Sequence, residues 1–187
     1  MATYNTPSDS ANTAIRAFLT SVGEYYLGRK FDTGSGEGKR IWTSIKLQDF
    51  ANECAYCGKN GEHAKLEIEH LIMFNREQNG LHHPGNVVPV CSKCNKRKKD
   101  PETKKSVSWE EQLRIICEEN NESALFNKRK DRIERSIEQR KYPNLDANEK
   151  HAIRVIAESL YENIKTESKK SLELYQKLEE AFVKNKI

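Results

Sequence analysis

Apolar side chains recur at helical spacing near the start of the chain, where Ala14, Ile15, Phe18, Leu19 and Val22 share one face and Gly28 supplies a stop. The polar stretch 1–9 ahead of them reads as a mobile lead-in. DTGSGEG at 32–38 reads as a flexible loop; its glycines lack the strand and helix flanks, and the lysine, of a phosphate-cradling motif, so no nucleotide role attaches to it. Ile41, Trp42, Ile45, Leu47 and Phe50 then form a short amphipathic segment, read as core packing. Further on, Ser108 and Glu111 have the spacing of a capping box and predict a helix on which Trp109, Leu113, Ile116 and Cys117 share a face, so Cys117 reads as a small buried hydrophobe. Residues 122–142 read as a charged helix, followed by a turn with Asn144 or Asp146 as the next cap. Ile153, Ile156, Leu160, Ile164, Leu172, Tyr175, Leu178 and Phe182 continue an apolar stripe nearly to the end. Unbroken, about 40 helical residues would run roughly 60 Å. Either KTESKKS at 165–171 breaks the helix into a hairpin, or a partner chain buries the stripe.

Between 54 and 100 the pattern changes to a knuckle, a short strand, a loop rich in Gly, Asn and His, a second strand VVPV, and a lysine-rich helix start. This divides the chain into an N-terminal helical segment (1–45), a small central domain (46–105) and a C-terminal helical region (106–187). The fold class expected is α+β, mostly α. With 36% hydrophobic and 32% charged residues in 187, the chain should fold with a polar surface. No apolar run of about 18 residues exists and the N-terminus has no basic or apolar leader features, so neither a span nor a secretion signal is expected and the default compartment is the cytoplasm. A net charge of +4 is too mild to identify a polyanion partner.

Of five cysteines, four form two CxxC pairs, CAYC (Cys54, Cys57) and CSKC (Cys91, Cys94). In a reducing compartment such pairs argue for a metal and against disulfides. Four thiolates complete a tetrahedral zinc shell with no open position, so this Zn²⁺ would be structural.

The ordered combination CAYC, IEHL, GNVVPVCSKCNKRK resembles the HNH nuclease domain over roughly residues 46–100. The resemblance implies a ββα-metal core holding one divalent cation, here with a four-cysteine zinc staple and flanking helices. It matches His70 to the general base, Asn86 to the asparagine that fixes the loop around that histidine, and Glu69 and Asn95 to the cation ligands. The chemistry agrees with those residue types. His70 can take a proton from water near neutral pH, and oxygen ligands suit Mg²⁺ or Mn²⁺. Glu69 replaces the more usual aspartate, and an ideal strand would point Glu69 and His70 to opposite faces. His82 and His83 are left open among phosphate ligand, second metal ligand and exposed side chain.

Lys93, Lys96, Arg97, Lys98 and Lys99 beside this centre read as a phosphate track, aided by the N-terminus of the expected helix. The expectation is therefore a metal-dependent endonuclease hydrolysing phosphodiester bonds, with double-stranded DNA as the substrate the resemblance implies. A homodimer or a partner protein would use the C-terminal stripe, and restriction or defence biology would be one setting. The alternatives are a non-catalytic zinc module that binds nucleic acid or protein, and an RNA-cleaving enzyme of the same chemistry.

Overall fold

The computed structural model describes residues 6–182. Helix α1 (Pro7–Leu27) opens with a capping box in which Thr6 Oγ1 accepts from the Asp9 amide and the Asp9 carboxylate accepts from the Thr6 amide. Residues 6–9, expected to be part of a mobile lead-in, belong instead to this cap and helix, and residues 1–5 lie outside the described residues. The helix ends at Gly28, whose φ of 70° is the left-handed cap. Helix α2 (Gly36–Ser44) begins inside the stretch read as loop and passes into a π-helical turn at Ile45–Asp49.

Strands β1 (Leu66–His70) and β2 (Val87–Cys91) pair antiparallel, with Leu66 opposite Cys91 at one end and His70 opposite Val87 at the other. Every residue of β2 is buried, and the outer edge of Pro89 is used by its carbonyl, which accepts from the Ala55 amide of the first knuckle at 2.8 Å. Proline is tolerated there because no ladder partner needs its missing N–H. Helices α3 (Trp109–Glu119), α4 (Phe126–Gln139) and α5 (Ala147–Phe182) complete the chain. Ser108 caps α3 through the Glu111 amide, and Asp146 and Glu149 cap the start of α5 reciprocally.

The lysine-rich stretch after Cys94 is not a helix, which corrects the expectation. It forms turns up to Trp109. Asp100 Oδ1 accepts from the amides of Glu102 and Thr103 and from the Thr103 hydroxyl, closing a local turn that competes with helix formation, and Pro101 sits within it. The helix dipole expected to assist phosphate binding at this point is therefore absent.

One core surrounds the hairpin, built from Phe31, Trp42, Ile45, Phe50, Tyr56, Val88, Val90, Leu113 and Ile133 among others, so α2, α3 and α4 share it with both strands. Cys117 is buried within it, as read from the helical pattern. A second core joins α1 to α5 through Ile15, Leu19, Leu81, Ile153 and Ala157. The Tyr161 hydroxyl meets Ser8 near the start of α1, while Glu149 accepts from Tyr26 near its end, so the two helices are antiparallel. Helix α5 runs unbroken through 165–171, about 54 Å in all. The hairpin alternative is excluded. Beyond Tyr161 its apolar side chains face outward, with Leu172, Leu174, Tyr175 and Phe182 each more than half exposed. No helix among the described residues is long and apolar enough to cross a membrane.

Candidate functional site

The Leu66–Cys91 end of the hairpin carries the cysteines. The Sγ atoms of Cys54, Cys57, Cys91 and Cys94 all lie within 4.8 Å of one another, and Cys57 and Cys91 are 3.8 Å apart. That separation equals the edge of a tetrahedron with Zn–S bonds of about 2.3 Å, roughly 3.8 Å. All four are free thiols, and three are buried. Each knuckle turns tightly: Gly58, at φ 72°, donates its amide to the Cys54 carbonyl, and the amides of Cys94 and Asn95 both reach the Cys91 carbonyl. The four thiols are close enough to couple their titrations. Hydrogen bonds from Cys54 and Cys94 stabilise a thiolate on Cys57 and lower its pKa, while the donors Cys54 and Cys94 are pushed up. A central cation removes that inequality, because metal-bound thiols deprotonate outright. Arg129 braces the cluster from α4, donating to the Cys57 carbonyl while paired with Glu122.

The other end of the hairpin carries the remaining candidates, and strand alternation splits them between two faces. Glu67 and Glu69 face the turn that follows Cys94. Asn95 Nδ2 donates to Glu67 at 3.0 Å, and Arg97 donates to Glu69 Oε1 through Nε at 2.9 Å and also through Nη2. The Arg97 guanidinium further reaches the carbonyls of His70 and Val107. The ion pair is buried, with side-chain exposures of 5% for Arg97 and 11% for Glu69. Burial raises the Glu69 pKa and the Arg97 charge opposes that shift. Tyr56, fully buried in the field of Arg97 and Glu69, has a hydroxyl with no hydrogen-bond partner among the described residues. Glu69 and Asn95, read from the sequence as a cation pair, are thus each engaged with a different partner. Arg97 is held inside, whereas Lys93, Lys96 and Lys99 are exposed and Lys98 pairs with Glu119.

On the opposite face, the His70 ring stacks on Phe74 at 4.7 Å and its Nε2 lies 3.0 Å from His82 Nδ1. Burial, reinforced by His82, pushes the His70 pKa down to about 3, which keeps the ring neutral at neutral pH. The loop between the strands is fixed by Asn86, itself 1% exposed. Its Oδ1 accepts from the Ile72 amide at 2.8 Å, and its Nδ2 donates to the carbonyls of Ile72 and Leu81, each at 2.9 Å. His83 is buried, and its Nδ1 accepts from the Gly85 amide to cap the turn Pro84–Asn86. His82 is half-buried, and its second nitrogen lies 3.1 Å from the Phe31 carbonyl. Neither histidine is the exposed side chain that was one reading of the sequence.

The sequence did not point to the Arg97–Glu69 pair, to Glu67, or to the contact from Phe31. Alternation along LEIEH places Glu67 beside Glu69, but no local pattern announces a carbonyl that lies about 50 positions from the histidine it meets.

A family model described as HNH endonuclease matches residues 54–101. No curated protein and no solved structure matches the chain. The match begins at the first zinc-ligand candidate and ends just past the Asn95–Arg97 turn, so it spans both ends of the hairpin. Residues 54–101 thus match an HNH endonuclease domain model, and the four cysteines within them are positioned for zinc.

Proposed function

We propose that the protein is a metal-dependent endonuclease that hydrolyses phosphodiester bonds of double-stranded DNA, with His70 taking the proton of the attacking water. The observation that carries this reading is the place of His70 within the family match: it ends β1 beside a loop that Asn86 pins at both Ile72 and Leu81. A general base needs a ring held in one orientation, and the phosphate anion of a bound substrate would raise the lowered pKa of His70 back toward neutrality.

Two metals enter this reading. Zinc at the four cysteines would hold the hairpin together. The second would be a hard cation, Mg²⁺ or Mn²⁺, held by oxygens of Glu69 and Asn95. Their donor chemistry fits such an ion, since a carboxylate and an amide oxygen are hard ligands, and Glu69 would have to exchange its Arg97 partner for the cation. Such a cation supplies neutralisation of the charge that develops on the phosphate oxygens. The chain's own part is to present the neutral His70 ring, to hold its orientation by the stack on Phe74, and to hold the loop through Asn86.

Substrate binding would draw on Lys93, Lys96 and Lys99, which are exposed, and on a hollow of about 450 Å³ beside the zinc site that Lys59, Lys93, Lys96 and Lys98 line. A second copy would seat on the outward apolar face of α5 beyond Tyr161, and a monomeric mass in solution would remove that option. Nicking of supercoiled plasmid by the zinc-loaded protein with Mg²⁺ or Mn²⁺, and its loss in His70→Ala, is the expected result. Binding without cleavage by either protein would return the chain to the class of silent zinc modules.

A further inference from the structure

The residue that meets His70 is another histidine, and that histidine is tied to a segment outside the matched domain. His82 Nε2 lies 3.1 Å from the Phe31 carbonyl, and its Nδ1 lies 3.0 Å from His70 Nε2. Phe31 is itself fixed: its side chain is 1% exposed, and its amide donates to Glu24 Oε1 at 3.0 Å. The backbone of His82 is pressed against α1 so closely that a Cβ on Gly23 would fall 2.3 Å from its carbonyl oxygen. The rings of Phe31, Phe74 and His70 surround the His82 ring at centroid distances of 4.8, 5.6 and 5.2 Å. His82 therefore has little freedom to turn.

Donor and acceptor rules then fix the protons. A backbone carbonyl can only accept, so the hydrogen between His82 and Phe31 sits on His82 Nε2. A neutral imidazole carries one N–H, and burial favours that neutral form of His82. Its Nδ1 is then a lone pair. The hydrogen in the contact between the two rings must come from His70 Nε2, which leaves Nδ1 as the basic nitrogen of His70.

We propose that His82, held by the Phe31 carbonyl, is a positioning residue that fixes His70 in the tautomer whose Nδ1 takes the proton from the attacking water. This rests on the nuclease reading given above. In the step, one water O–H bond breaks and its proton passes to His70 Nδ1. The water oxygen forms the new bond to phosphorus as the bond to the leaving oxygen breaks, and that oxygen departs with the electron pair and takes a proton from solvent. His70 Nε2–H stays in place, and its hydrogen bond to His82 becomes charge-assisted and stronger as the imidazolium forms. The N-terminal segment thereby takes part in the chemistry without touching the substrate.

Long-range ¹H–¹⁵N correlation spectra of the full, zinc-loaded protein test the arrangement independently of activity. The expected result is the Nε2–H tautomer for both His70 and His82; an Nδ1–H tautomer at His70 overturns the proposal. Kinetics supply the second arm. In His82→Ala the single-turnover nicking rate should fall about 10- to 100-fold, as for the loss of an orienting partner behind a site, while DNA affinity stays unchanged. His82→Asn, whose side-chain oxygen can accept near the position of Nδ1, should recover much of that loss. If a folded His82→Ala protein nicks as fast as the parent, or if His82→Asn falls as far as the alanine variant, the proposal fails. Should the parent itself fail to nick, the nuclease reading is what falls, and the tautomer assignment still decides whether the histidine pair is arranged as inferred.

Discussion

The two ends of one hairpin, built from five-residue strands, are held in opposite ways. At the Leu66–Cys91 end, four cysteines from two knuckles are positioned around a common point, and the local chain supplies every ligand. At the His70–Val87 end, nothing is self-sufficient. Glu69 depends on Arg97, His70 on His82, His82 on the Phe31 carbonyl, and the loop on Asn86. The first arrangement can be complete in a small loop-rich unit because metal binding brings its own free energy. The second must borrow order from the rest of the chain, since a short two-stranded hairpin is marginal in water.

That contrast breaks hardest at the staple. Cys94→Ser, or treatment with a strong chelator, should release zinc and unfold the hairpin, because metal binding here is folding free energy. Metal analysis paired with hydrogen exchange across 54–91 checks it: retained protection of the strand amides without zinc would show that the core alone holds this end. At the other end, Arg97→Ala should cost about 3 kcal/mol or more, the penalty for leaving a buried carboxylate without its partner. Urea unfolding measures it. The pH dependence has a definite sign. Burial already raises the Glu69 pKa above the usual carboxylate range, and losing Arg97 raises it further. The folded state then holds more protons than the unfolded state between the ordinary and the raised value, so stability falls as pH climbs through that window. The deficit of the variant should accordingly shrink on acidification, and a deficit independent of pH would show that Glu69 is not the group responsible. The smallest structural effect belongs to the exposed lysines. Replacing Lys93, Lys96 and Lys99 by alanine should leave stability within about 0.5 kcal/mol. It should also lower the dependence of log affinity for DNA on log salt by about one for each phosphate that no lysine neutralises any longer.

The contrast also explains what could be read in the sequence. Two CxxC pairs state their chemistry in spacing alone, and the helical stripes of α1 and α3 followed from periodicity because one face of each meets a core, whereas the α5 stripe meets one only as far as Tyr161. Asn86 was legible through its place before VVPV, and its three hydrogen bonds to the loop fit the supporting role that the resemblance suggested. The lysine-rich segment misled, since its charge and spacing are compatible with a helix while Asp100 and Pro101 favour a turn. Arg97 sat in a run of similar cations and looked like one more surface charge. Only the proximity of a buried Glu69 distinguishes it, and that is a tertiary fact. His82 was visible as a residue but not in its role, because its partner is a backbone carbonyl in the linker between α1 and α2, and a carbonyl leaves no mark on the sequence.

The shared core around the hairpin has a practical meaning for anyone dividing this chain. Residues 54–101 mark the unit that matches the family model, but Phe31, Trp42, Ile45 and Phe50 enter the same core from one side and Leu113, Ile116 and Ile133 from the other. Expressed alone, that segment would keep its cysteines and its histidine while exposing the walls these residues cover. A transplant into another protein would have to carry residues from about Phe31 to Ile133 to bring the geometry around His70 with it, so the portable module is roughly twice the length of the recognisable one.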